Sequence, residues 1–243
     1  MISLENIQKH FTLGDGTVIK ALNDINITIN KGDFVTIIGS NGSGKSTLIK
    51  LISGIEQPTA GNILLNKRNI TRQSVEERSA YVAQVFQNPE SGVAPNLSIL
   101  ENFRLAFLRG KTKSLFNTIN SSFKNHTRDK IAALNMGLEN KLNMPIGMLS
   151  GGQRQALCLL MATLAPCELL LMDEPTAALD PVNAALVLET ANNIVKQDGL
   201  TCLYITHNMQ DAIKYGSRLI QLQNGTVIKD IDKTVTPITE VTW

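Results

Sequence analysis

The chain has 243 residues, the length of one α/β domain or of one such domain with an inserted lobe. Hydrophobic residues make up 43% and charged residues 18%, which supports a sizeable core and argues against wholesale disorder. A formal net charge of +2 gives no electrostatic case for a nucleic-acid partner. No stretch approaches the roughly 18 consecutive apolar residues of a membrane-spanning helix. Met1-Ile2-Ser3-Leu4-Glu5-Asn6 lacks the basic-then-apolar plan of a signal peptide. The expectation is a chain that stays in the cytosol and meets a membrane only through a partner. Cys158, Cys167 and Cys202 show no CxxC or CxxH spacing, and Cys158 and Cys202 sit within apolar runs as small hydrophobes, so neither a metal site nor a disulfide is expected.

The first thirty-odd residues read as short strands with turns. Gly14-Asp15-Gly16 is a turn signal, and Ile25, Ile27 and Ile29 alternate with polar residues at the period of a half-exposed strand. Asn30-Lys31-Gly32-Asp33 then turns the chain into Phe34–Ile38, a β-branched run of the kind buried on both faces of a parallel sheet. Between about residues 88 and 149 the strand signals fade, and Ile99–Leu108 and Asp129–Leu134 read as helices. This predicts a helical lobe inserted between core segments 1–87 and 150–230. Within it, the basic segment Arg109–Lys130 reads as a solvated face, with anionic headgroups or a partner's loops as the alternative. Leu169–Met172 and Thr201–Ile205 read as further buried strands around a helix over Ala184–Lys196, a βαβ spacing. Leu219–Leu222, Asn224-Gly225 and Val227-Ile228 form a hairpin signal, and the polar tail over 231–243 reads as a loosely packed end.

Gly39-Ser40-Asn41-Gly42-Ser43-Gly44-Lys45-Ser46 fits G-x-x-x-x-G-K-[ST], between a predicted buried strand and a helix-like run starting at Thr47. Glycines there let successive backbone N–H groups converge on one anion, and the helix N-terminus adds positive potential. Lys45 would reach the β and γ phosphates, and the Ser46 hydroxyl would bind Mg²⁺. Taken alone, the pattern says only nucleoside triphosphate. The apolar run Leu169–Met172 ends in Asp173 and Glu174, where carboxylates face the ligand crevice of a parallel sheet. Asp173 suits the magnesium shell, and Glu174 suits the base that orients the attacking water. Leu149-Ser150-Gly151-Gly152-Gln153 precedes another helix-like run and reads as a second anion-binding helix start. A head-to-tail dimer explains two phosphate cradles in one chain, each ATP lying between one chain's lysine loop and the other's serine-glycine turn.

With Gln87 in Val85-Phe86-Gln87-Asn88-Pro89, Asp180 in Ala178-Leu179-Asp180 and His207 in Ile205-Thr206-His207-Asn208, the sequence resembles the ATP-binding-cassette family along essentially its whole length. The resemblance implies an ATPase with a P-loop core and parallel sheet, an N-terminal antiparallel β subdomain and an inserted α-helical subdomain. It also implies ATP and Mg²⁺, and metal-site roles for Ser46, Gln87 and Asp173. Ser150, Gly151 and Gly152, with Gln153, would bind the γ phosphate in trans, Asp180 would link the two sites, and His207 would stabilise the γ phosphate or the water. Phe11 stands where the family often has an adenine-stacking tyrosine, with His10 as a competitor. The usual serine opening the Asp180 segment is alanine, at Ala177 or Ala178.

One cassette with a short helical insert resembles transporter subunits more than ribosome-remodelling or DNA-repair relatives. The implied partners are a second cassette, identical or paralogous, integral-membrane permease subunits and, for an importer, a solute-binding protein. This places the chain peripherally on the cytoplasmic face of the cell membrane. Ser91–Ile99 together with Leu149–Leu160 is similar to amino-acid uptake cassettes of the tryptophan/tyrosine type. An exporter or lipid-trafficking cassette is the rival within the family.

Overall fold

The computed structural model describes residues 2–110 and 119–236, so Lys111 and Lys113 of the basic segment lie outside the described residues. The chain divides into two compact units, residues 1–78 with 195–243 and residues 79–194.

In the first unit, β1 (Ile2–Thr12) and β2 (Val18–Ile29) pair antiparallel. Ile25, Ile27 and Ile29 are buried while Asn26 and Thr28 are exposed, so the alternation works as read. The strands are longer than expected because Asn6 and Asp24, which look like strand breakers, are absorbed as bulges. Both have φ 51°, the register shifts beside Asn6, and the Asn6 amide donates to the Asp24 carboxylate at 3.0 Å. Strands β4 (Ala60–Leu65) and β5 (Arg68–Asn69) complete a sheet of order β2-β1-β4-β5.

Strand β3 (Phe34–Ile38) lies parallel between β8 (Thr201–Ile205) and β9 (Arg218–Gln223), which explains why all five of its residues are buried. Strand β9 turns through Asn224 (φ 47°) and Gly225 (φ 74°) into the antiparallel β10 (Thr226–Asp232). Two consecutive left-handed residues are what a tight hairpin turn needs. Helix α1 (Lys45–Ser53) buries Leu48, Ile49, Leu51 and Ile52, and α2 (Val75–Arg78) ends in a fully buried arginine. Helix α7 (Met209–Lys214) packs Ala212 on Ile38 and Leu219. The tail is better held at its start than expected. The Lys233 ammonium donates to the carbonyls of Ala212, Tyr215 and Gly216, where α7 ends. A basic residue there satisfies the last carbonyls of a helix.

The second unit contains the parallel pair β6 (Val82–Val85) and β7 (Leu169–Asp173), with helices α3 (Ile99–Phe107), α4 (Ser121–Ala132) and α5 (Gly151–Ala162). Helix α6 (Pro181–Asp198) follows β7. Ser98 and Glu101 form a reciprocal capping box that starts α3. Helix α4 begins well before Asp129, because Asn120 caps it and Phe123, Thr127 and Ile131 supply a buried face. In the basic segment Arg128 and Lys130 are exposed, as a solvated face requires, and Arg109 is the departure. It is half-buried and donates to the carbonyls of Ala162 (2.8 Å) and Ala165 (3.1 Å). Helix α5 is buried along Gln155–Ala162, apolar except at its first residue, as a helix enclosed on all sides must be.

Candidate functional site

In the first unit, β3 delivers the chain to Gly39 and α1 starts at Lys45, so the loop between them is anchored at both ends. A Cβ on Gly39 would lie 2.3 Å from the Leu222 carbonyl oxygen. A Cβ on Gly44, where φ is 103°, would lie 2.6 Å from Leu22 Cδ2 and 2.7 Å from the Ala21 oxygen. Only glycine fits either position. Gly44 is also the N-cap of α1 and offers no side-chain cap, so the positive end of that helix faces the loop with no cap side chain in between.

Lys45 is only 5% exposed, and its ammonium donates to the carbonyl oxygens of Gly39 (2.8 Å) and Ser40 (3.0 Å). A buried cation turned onto neutral carbonyls would gain from anionic oxygens in the same loop. The buried Ser43 Oγ has no hydrogen-bond partner, a second polar atom that a phosphate would satisfy. Ser40, Asn41, Gly42 and Ser46 are exposed and Thr47 is half-buried, so the loop presents its polar edge to solvent.

His207 shares this end of the unit. It follows β8 as the phosphate loop follows β3, and these strands are neighbours with Ile37 opposite Ile205. The Thr206 N–H donates to the Ile37 carbonyl at 3.2 Å, and Asn208 caps α7 immediately after the exposed histidine. Burial pushes the Asp211 carboxyl up, opposed by Lys214 and His207. Phe11 is half-buried on β1 with the Lys9 ammonium 4.7 Å from its ring centroid. Lys9 is itself held by Glu56 at 2.8 Å and the Gln57 carbonyl at 2.9 Å. Its rival His10 has a buried Nε2 without a partner.

In the second unit, Gln87 and Glu174 follow β6 and β7, and the Gln87 Nε2 donates to Glu174 Oε2 at 3.5 Å. Glu174 has φ 44°, a left-handed backbone that costs a residue with a side chain about 1–3 kcal/mol. Strain of this kind concentrates where a side chain must be aimed. Asp173 closes β7 beside it. Ser150 starts α5 with a capping box: its hydroxyl accepts from the Gln153 N–H, and the Gln153 side chain accepts from the Ser150 N–H, both at 3.3 Å. Asp180 accepts from the N–H groups of Val182 and Asn183, each at 3.1 Å. The Asn183 amide, followed by these N–H groups, holds the Asp180 carboxyl below the usual range.

Three residues not singled out from sequence tie these segments together. The Gln155 amide donates to the Phe86 carbonyl at 2.9 Å, next to Gln87. Arg154 bonds Glu90 at 3.1 Å and the carbonyls of Gly147 and Leu149, each at 3.0 Å. Asn183 lies against Gly152. The available signal was polarity out of place, with Arg154 and Gln155 opening an otherwise apolar helix.

A family profile described as ABC transporter matches residues 22–177. The chain belongs to the ATP-binding-cassette transporter family. This cassette is 38% identical over 231 residues to a tyrosine transport ATP-binding protein of Clostridioides difficile, covering 95% of this chain and 92% of that protein. It is 34% identical over 237 residues to the phosphonates import ATP-binding protein PhnC of Lactococcus lactis, again covering 95% of this chain and 92% of that one. Among solved structures it is similar to a dimeric post-hydrolysis state of the ATP-binding cassette MJ0796 bound to ADP and Pi. There the TM-score is 0.83 at 27% identity, over 96% of this chain and 98% of the other. The cassette is therefore an ATPase with the family's α/β fold, antiparallel in its N-terminal sheet and mostly parallel around β3. Among the described residues, no helix is long and apolar enough to cross a membrane.

The residues also fit a hard cation. Ser46 in the first unit, and Gln87 and Asp173 in the second, each carry an oxygen of the kind a hard cation prefers, and no group of three His, Cys, Asp or Glu among the described residues could hold a metal alone. Few protein ligands with phosphates completing the shell is how Mg²⁺ is usually held.

Proposed function

We propose that this cassette powers an importer of a small solute, an amino acid of the tyrosine class, as a head-to-tail dimer on the cytoplasmic face of permease subunits. A solute-binding protein would present the cargo. What carries the transport reading is similarity across 95% of the chain to a tyrosine transport ATP-binding protein. What carries the chemistry is the buried Lys45, held on its own loop where a phosphate would replace carbonyls.

In this reading the glycine loop and Lys45 bind the β and γ phosphates, and Phe11 stacks on adenine. Ser46, Gln87 and Asp173 would hold Mg²⁺, which would supply charge neutralisation at the phosphates. Glu174 accepts the proton of the water that attacks the γ phosphorus, while the bond to the ADP oxygen breaks and leaves ADP and Pi. His207 and Gln87 orient the water and the γ phosphate. Ser150, Gly151, Gly152 and Gln153 of the facing cassette bind that same phosphate, and Asp180 joins the two sites. Losing the γ phosphate removes the group both cassettes hold, so the dimer reopens.

The test is the Glu174→Gln cassette. It should bind ATP normally and lose turnover by about 10²- to 10⁴-fold, the usual worth of a general base. It should also trap an ATP-bound dimer and recover a polytopic permease from detergent-solubilised native membranes. Wild-type turnover would remove Glu174 from its role, and recovery of soluble partners alone would overturn transport.

A further inference from the structure

Gly152 does not owe its identity to backbone conformation, because it lies inside α5 and is not among the left-handed glycines. It is crowded from outside. A Cβ there would lie 2.7 Å from Asn183 Cγ, 2.9 Å from its Cβ and 3.0 Å from its amide nitrogen. The Asn183 side chain is fixed in turn, since its amide donates to Asp180 Oδ2 at 2.6 Å. The other Asp180 oxygen is occupied by the first N–H groups of α6. The starts of α5 and α6 therefore abut through one amide, which touches the serine-glycine turn on one side and a carboxylate on the other.

We infer that Asn183 is a positioning residue that locks the Ser150-Gly151-Gly152 turn to Asp180 within one cassette, and so sets how strongly ATP draws two cassettes together. The inference rests on the sandwich-dimer reading above. Both segments joined by Asn183 act across the dimer in that reading, whereas Lys45 acts in its own cassette. Losing Asn183 should therefore separate dimer formation from nucleotide binding. The Asn183→Asp change carries a second signature. It places a carboxylate beside Asp180, and a like charge at that distance raises the pH at which the pair first takes up a proton. At neutral pH they repel. On acidification one proton is taken up, and an O–H again donates to the neighbouring carboxylate.

The experiment titrates ATP against the monomer–dimer equilibrium of the Glu174→Gln cassette, by sedimentation, with and without Asn183→Ala or Asn183→Asp. Nucleotide affinity is measured separately at protein concentrations too low for dimers. Asn183→Ala should raise the ATP needed for half-dimerisation about tenfold, the worth of one charge-assisted hydrogen bond, at unchanged single-cassette affinity. Asn183→Asp should match that loss at neutral pH and regain dimerisation as the pH falls. Dimerisation at the parent's ATP concentration in both variants overturns the assignment. So does a parallel fall in single-cassette affinity, which would place the effect at the phosphate loop. A parent that stays monomeric at every ATP concentration overturns the dimer reading and this assignment with it.

Discussion

Arg78→Lys should be one of the most damaging charge-conserving changes in the cassette. Arg78 has no exposed surface. One guanidinium nitrogen donates to the carbonyls of Leu51 and Ile52 in the last turn of α1, and the other to those of Ile70 (2.6 Å) and Thr71 (2.9 Å). The cation thus sits at the negative end of the helix whose positive end opens the phosphate loop. A lysine ammonium donates from a single point and cannot span carbonyls served by two separate nitrogens. At least two carbonyls would lose their donor in the interior, at about 1–3 kcal/mol each, and the ammonium is harder to desolvate than a guanidinium. We expect a loss of about 3–5 kcal/mol, comparable with breaking a buried charged pair. In a chain of this size that lowers Tm by roughly 10 °C. Urea unfolding should show the midpoint falling with the slope unchanged. A difference under about 1 kcal/mol would refute the reasoning, because the four carbonyls would then be satisfied without the fork.

Two further predictions follow from the first unit. Lys45→Ala should weaken ATP binding at least about tenfold, since a charged donor to phosphate is worth about 1.5–3 kcal/mol, and calorimetry showing unchanged affinity would remove Lys45 from the loop's function. For Lys233, burial pushes the ammonium down to about 8 from its ordinary 10.5, so the unfolded chain binds more protons between those limits. Wild-type stability relative to Lys233→Met should therefore rise with pH across that window and be flat below it. Urea midpoints of both proteins at pH 7.5, 9 and 10 check this, and a pH-independent difference would mean the surrounding carbonyls offset the burial.

What was legible in the sequence was whatever depends on local pattern. Phe34–Ile38 announces a strand covered on both faces, Asn224-Gly225 announces a tight turn, and the glycine loop has its strand and its helix where the chemistry needs them. What was not legible depends on distant partners. Nothing in Glu76-Glu77-Arg78-Ser79 marks Arg78 as buried, yet it is enclosed by carbonyls from residues 51, 52, 70 and 71. Arg109 falls in a basic run and is half-buried against distant carbonyls for the same kind of reason. Lys233 is invisible as an anchor until α7 brings its terminal carbonyls beside it. Asn183 could not be found from α6 alone, because its significance lies in touching Gly152, 31 positions earlier (183 − 152).

The three helix starts proposed to meet the triphosphate or the facing cassette are capped differently, and the differences follow from what each must do. Helix α1 has Gly44 and no side-chain cap, so no cap carboxylate or hydroxyl stands between its positive end and a phosphate in the loop. Helix α6 is capped by Asp180, a carboxylate that only accepts; it would repel a phosphate, which suits a segment that links the dimer rather than binding the nucleotide. Helix α5 is capped by Ser150, whose oxygen accepts from the Gln153 N–H while its own O–H remains a donor. A serine can hold the helix start and donate to a γ phosphate at the same time. Aspartate would cap the helix equally well and reject the anion, and alanine would do neither. The choice of serine at position 150 is thus the chemistry expected of a helix that must be preformed before the other cassette's ATP arrives.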